Sequence, residues 1–327
     1  MFDEAFAVAI EPSVRAAMPR WGLSPEACLE RLSLSENIAF RARDGVRDLV
    51  LRVHRPGYHA PDEIASELAW LRALDGELPV PRPVATRDGD GVLPLIFGAR
   101  AYQAVAFDFL PGREPQADAN LPGWFGQLGH LTARLHLHAR AWRRPDGFRR
   151  KAWTFDTMIG RAPLWGDWRQ GLGLDAQGAN VIARAAAQLE RDLAGIGQGA
   201  DVFGLIHGDL RLANLLVEGP RLSLIDFDDC GFSWFLYDFA AAVSFMEHAP
   251  VVPELAAAWC EGYRRVTALS DAQAACLPLF VTLRRILLTA WLASRADSDT
   301  ARAFGPDYTA GTITLCEAYV SGAPRRV

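Results

Sequence analysis

Apolar and polar residues alternate through much of the first third of the chain and then give way to a helical period. The segments "SENIAFRAR" and "DLVLRVHR" flank Asp44-Gly45, two residues that tolerate positive φ, and so predict a β-hairpin within residues 31–55. In its second arm Leu49, Leu51 and Val53 share one face, leaving Val50 and Arg52 on the other. "APDEIASELAWLRAL" then repeats Ile64, Leu68 and Leu71 at helical spacing behind Pro61 and Asp62. After "LPVPRPV" stops that helix, two more strands are expected near residues 92–97 and 102–107, joined by a turn at Gly98.

At "FDFLPGREP" the pattern changes, with Pro111, Gly112 and Pro115 as punctuation. Helices are expected over residues 125–142, 178–196, 235–247, 254–266, 271–294 and 308–320. The main strand signals in this part are at 215–217 and 222–225. The pattern predicts an α+β fold with a small strand-rich N-terminal lobe, residues 1–110, and a larger, mostly helical C-terminal lobe, residues 111–327.

Composition narrows this picture. With 50% hydrophobic and 22% charged residues, a net charge of −5 and no basic cluster, nothing points to nucleic acid. The five cysteines, at 28, 230, 260, 276 and 316, are odd in number and widely spaced, as expected of reduced thiols in a cytoplasmic protein. The first residues are acidic where a leader would be basic. The apolar stretch 276–293 is interrupted by Pro278 and the pair Arg284-Arg285, so it is expected to be a buried helix and not a membrane span.

The densest chemistry is in "GLIHGDLRLANLLVEGPRLSLIDFDD", residues 204–229. Asp209 and Asn214 stand five positions apart, and a hairpin around Gly219 should return the chain so that Asp226 lies near Asn214. An amide oxygen and a carboxylate are hard donors of the kind Mg²⁺ takes, and Asp209 is then placed to accept a proton from a hydroxyl. Singly, each of these residues reads as a cap or turn; the spacing of all three favours a site. A calcium loop starting at Asp226 fails, because Tyr237 stands where a bidentate Glu is needed. His207, His136 and His138 read as structural residues. Trp153, Phe155, Trp165 and Trp168 are an irregular satellite core or a substrate-side wall, and Glu247, His248, Asp297 and Asp299 read as a solvated face more readily than as an acidic rim.

The pattern H-x-D-x(4)-N, a hairpin and then D-F-x resembles the catalytic and metal-binding loops of the protein-kinase-like superfamily. With Gly208 after His207, it is similar to the aminoglycoside/choline/homoserine phosphotransferase branch. "LSLSENIAF", "FDFLPG", "SWFLYDFA" and "RRILLTAWLASR" extend the resemblance, most of all to bacterial stress response kinase A and homoserine-kinase-like members.

The resemblance implies a bilobal protein-kinase-like fold with ATP and Mg²⁺ bound between the lobes. Asp209 would be the base, with Arg211 near the transferring phosphoryl group. Asn214 and Asp226 would hold the metal, Asp228 could add a contact, and Asp238 would brace the loop. Arg52 would clamp the α- and β-phosphates and Glu67 would position it. Ser35 and Asn37 replace a glycine-rich loop, and the backbone around Phe107 and Phe109 would meet adenine. The acceptor would be a hydroxyl on a small molecule: an amino alcohol, amino acid, sugar or aminoglycoside. A protein Ser/Thr substrate is the alternative, and a non-catalytic nucleotide-binding role a further one. Three departures stand out: Arg52 replaces the usual Lys, the glycine-rich loop is missing, and Asp228 replaces the glycine of D-F-G.

Overall fold

The computed structural model describes residues 2–116 and 120–322, which form two compact units. The first comprises Met1–Gly112 together with Trp142–Arg150 and Ser223–Asp228; the second comprises Arg113–Ala141, Lys151–Leu222 and Asp229–Val327.

The first unit opens with α1 (Glu4–Ala17), capped by the Asp3 carboxylate, which accepts from the Phe6 N–H at 2.7 Å. Strands β1 (Cys28–Leu34), β2 (Ile38–Arg43) and β3 (Asp48–Val53) precede α2 (Pro61–Leu74). Strands β4 (Pro83–Val84), β5 (Leu93–Phe97) and β6 (Arg100–Asp108) complete an antiparallel sheet in the order β1-β2-β3-β6-β4, with β5 also on β6. The β2–β3 hairpin turns where expected, with Gly45 at φ 78, and β5–β6 turns at Gly98, φ 60. Ala7, Ile10 and Val14 of α1 pack in one core with Phe40, Leu49, Leu51, Val53 and Leu95. Arg52 therefore stands on the opposite face of β3, where α2 supplies Glu67.

The second unit contains α3 (Leu121–Ala141), the single turn α4 (Phe155–Met158) and α5 (Ala176–Ile196), followed by β7 (Phe203–Ile206) and β8 (Leu215–Glu218). Strand β9 (Arg221–Leu224) pairs with β8 and leads into the first unit's late segment. Then follow β10 (Gly231–Trp234), α6 (Tyr237–Ala242), α7 (Val252–Arg264), α8 (Asp271–Ala274), α9 (Leu277–Ala293) and α10 (Asp299–Val320). Helices α3 and α7 cross closely because both carry glycine: a Cβ on Gly129 would sit 2.0 Å from the Trp259 carbonyl oxygen, and one on Gly262 1.9 Å from that of Gly126.

Several elements depart from the sequence expectations. Helix α1 and the short strands β7 and β10 were not anticipated, and β1 begins at Cys28, ahead of the strand region expected from residue 31. The helix expected over 235–247 closes after Ala242, and Phe245 adopts φ 68. The stretch 271–294 is two helices, and α10 reaches back to Asp299 across a kink at Gly305 and Pro306. By length and composition Asp271–Ala293 could cross a membrane, but 78% of its most apolar 18 residues are buried inside the protein, as in a core helix.

Candidate active site

In the second unit, β7 and β10 pair antiparallel, with Ile206 opposite Gly231, and deliver the chain to His207. Gly208 then turns at φ 82, and a Cβ there would lie 2.8 Å from the Asp229 carbonyl oxygen, so the turn requires glycine. Asp238 at the start of α6 is fully buried; its Oδ1 accepts from the Gly208 N–H at 2.7 Å and its Oδ2 from the His207 N–H at 3.2 Å. His136 continues this network: Nε2 is 3.0 Å from Asp238 Oδ2 and Nδ1 is 3.0 Å from the Tyr263 hydroxyl. His136 thus joins the brace through its ring and His207 through its backbone N–H.

The loop so braced presents Asp209. Its Oδ1 accepts from Arg284 Nη2 at 2.5 Å and its Oδ2 from Asn214 Nδ2 at 2.8 Å, while Arg211 Nε lies 3.3 Å from Oδ2. Burial alone would raise this carboxyl, but Arg284, Arg211 and His207 outweigh it and hold it below its ordinary value. It is ionised at neutral pH. Asn214 Nδ2 also donates to the Asp209 carbonyl oxygen at 2.8 Å, which leaves the amide oxygen as the atom it can offer a cation.

In the first unit, Arg52 Nη2 donates to Glu67 Oε2 at 2.6 Å, and Nη1 donates to Asp226 Oδ1 at 3.3 Å. Asp226 adopts φ 61, a left-handed conformation that is costly for a residue with a Cβ. The next side chain, Phe227, is held edge-on against Trp70, one turn after Glu67 on α2, at a centroid separation of 5.5 Å. One helix therefore orients both the Arg52 partner and the strained Asp226 turn.

Asp228 is enclosed. Asn37 Nδ2 donates to its Oδ2 at 2.9 Å, His54 Nδ1 and His59 Nε2 lie 3.3 and 3.6 Å away, and Arg150 donates to its carbonyl oxygen. Burial opposes its ionisation, yet Arg52 and the two histidines push its carboxyl well below the usual range. Burial and the Arg52 charge lower His54 in turn. The liganding atoms of His54, Glu67 and Asp228 lie within 4.8 Å of one another, close enough to share an ion. The Arg52 guanidinium, 2.6 Å from Glu67 and 3.8 Å from Asp228, already supplies positive charge there.

The remaining candidates are placed less directly. Asn37 is engaged at both ends, its oxygen accepting the Arg55 N–H at 3.1 Å, whereas Ser35 is exposed at the β1–β2 turn. Phe107 lies under Arg52, 5.0 Å from the guanidinium, and Arg41 stacks 3.5 Å over Phe109. The N–H groups of Asp108 and Phe109 donate to the Arg82 and Asp48 carbonyls, so an adenine would meet other backbone groups of 107–110. Among the aromatic residues, Trp153 and Trp165 pack edge to face at 5.2 Å. The expectation for Glu247 is corrected: it is buried, paired with Arg285 at 2.7 Å and with the Tyr308 hydroxyl at 2.9 Å, and not part of a solvated face. Sequence reasoning gave no site role to Arg284, His54 or His59. For Arg284 the signal was present, since an arginine inside an apolar helix must find a buried partner.

Comparison with known proteins agrees with this geometry. Residues 29–269 match the phosphotransferase enzyme family. The structure of a microcompartment-associated aminopropanol kinase superposes with a TM-score of 0.88 and 42% identity, covering 94% of this chain and 97% of that one. A homoserine kinase of Gluconobacter oxydans is 30% identical over 82% of this chain and 83% of its own length. Amicoumacin kinase of Bacillus subtilis is 22% identical over 89% and 87%. With Asp209, Asn214 and Asp238 joined in one braced loop and a match running through most of its length, the chain belongs to the phosphotransferase enzyme family.

Proposed function

We propose that this chain is a kinase that moves the γ-phosphoryl group of ATP to the hydroxyl of a small amino alcohol. The observation that carries the reading is Asp209: a part-buried, ionised carboxylate held at both oxygens on a loop whose backbone is tied to Asp238. The acceptor class is supported by 42% identity to an aminopropanol kinase across 94% of the chain.

In this reading Asp209 receives the hydrogen bond of the acceptor hydroxyl, aims its oxygen at the phosphorus, and takes the proton as the new P–O bond forms. A carboxylate with a lowered pKa is a weak base. That suits a loose transition state, in which the nucleophile needs orientation more than early deprotonation. Arg52, fixed by Glu67, neutralises phosphate charge, and Arg211 adds positive charge near the transferring phosphoryl group. Asn214 and Asp226 are the proposed magnesium ligands by their chemistry: the Asn214 nitrogen is spent on Asp209, which leaves its oxygen, and Asp226 offers a carboxylate held in a costly backbone conformation. Bound there, Mg²⁺ would supply charge neutralisation on the transferring group.

Release of ADP from Mg·ATP, measured against aminopropanol, homoserine, choline and aminoglycosides, tests this. The expected result is the highest kcat/KM with aminopropanol. Absence of transfer to any of the four classes would overturn the proposal.

A further inference from the structure

We infer that Arg284 is a positioning residue for Asp209, fixing the plane of the carboxylate that meets the acceptor hydroxyl. The inference rests on the kinase reading above. Helix α9 is buried around nearly its whole circumference, and Arg284 within it is 1% exposed. A guanidinium in such surroundings is retained only where its charge and donors are matched. Nη2 donates to Asp209 Oδ1 at 2.5 Å, Nη1 to the Tyr237 hydroxyl at 3.0 Å and weakly to the Gly208 carbonyl oxygen at 3.4 Å, and Nε to Ser244 Oγ at 3.0 Å. Ser244 is itself fixed by donating to the Ala241 carbonyl oxygen at 2.7 Å. The guanidinium carbon lies 5.2 Å from the centre of the Trp165 ring.

The torsion that turns a carboxylate about its Cβ–Cγ bond is soft. One donor on Asp209 would leave that rotation open. Arg284 on Oδ1 and Asn214 on Oδ2 close it from both sides. The planar fork meets Asp209, Tyr237 and Ser244 through three separate nitrogens, a spread that the single nitrogen of a lysine does not reproduce.

The test compares Arg284→Met, Arg284→Lys and Ser244→Ala with the parent chain, with and without Asp209→Asn, using phosphate transfer to aminopropanol from Mg·ATP. Arg284→Met is expected to lower kcat about 100-fold with KM for ATP unchanged. Arg284→Lys should fall between it and the parent, and Ser244→Ala should cost a few-fold. In the Asp209→Asn background, Arg284→Met should cost no more than about twofold further, because the group it positions is already gone. A purely structural arginine would instead lower activity by the same factor in both backgrounds, and that result would overturn the inference, as would full activity in Arg284→Met. Should Arg284→Met fail to fold, Arg284→Lys and Ser244→Ala carry the same comparison. A parent chain that transfers nothing defeats the kinase reading itself, whereas an active parent with an equally active Arg284→Met defeats only the positioning role.

Discussion

Arg52 Nη2 lies 2.6 Å from Glu67 Oε2, with side-chain exposures of 8% and 0%. A pair this dry loses little to solvent screening, and removing either partner strands a buried charge. Glu67→Ala is expected to destabilise the chain by about 3 kcal/mol, at the low end for a broken buried pair because Asp228 still faces the guanidinium. A urea midpoint at unchanged slope measures this, and KM for ATP should rise while KM for the acceptor stays. A loss below about 1 kcal/mol would reduce the pair to the value of a surface contact.

Asp209→Asn keeps an amide oxygen for Arg284 and removes the anion proposed to take the proton. Transfer should fall by about 10² to 10⁴-fold while the thermal shift produced by Mg·ADP persists. Undiminished turnover would remove Asp209 from the chemistry.

The lowered Asp209 carboxyl also predicts a pH signature of stability. Its folded-state pKa lies below its ordinary 3.8, so the folded chain holds this proton less tightly than the unfolded one. The stabilisation is complete above the unfolded value and is lost as pH falls through the folded one. The unfolding free energy of the parent minus that of Asp209→Asn should be flat between about pH 7 and 5 and shrink below about pH 4. A difference that grows on acidification would contradict the direction of the shift.

Asp226→Asn separates charge from backbone geometry, because asparagine also tolerates the left-handed conformation at φ 61. The melting temperature without ligand should change little. The extra stabilisation that Mg²⁺ adds to ADP binding should drop sharply, and an unaltered magnesium dependence would strike Asp226 from the proposed ligands.

What could be read in advance follows the range of the forces involved. The β2–β3 turn at Gly45 and the opening of α2 at Pro61 are local, set by backbone preferences of a few residues, and both were legible. Strands β7 and β10 have four residues each, too few to establish a period, and their pairing joins Ile206 to Gly231. Helix α6 ends early for a reason no local pattern carries: Phe245 leaves the helix to stack on Phe304 at 4.8 Å, and that ring lies on α10. At the site, Asp209 and Asn214 could be paired by spacing because one short loop holds both. Arg284 and Glu247 could not, since their partners lie 75 and 38 positions away.

The first unit borrows Trp142–Arg150 and Ser223–Asp228 from far along the chain, and Asp228 is the anion at the centre of Arg52, His54, His59 and Asn37. On the ribosome, its sheet emerges early and its counter-ion late. Until residue 228 is made, the nascent sheet carries a cationic centre neutralised by Glu67 but not by its second buried carboxylate, so the part synthesised first cannot be the part that finishes folding first. Completion of the first unit thereby follows synthesis of the loop that bears Asp209.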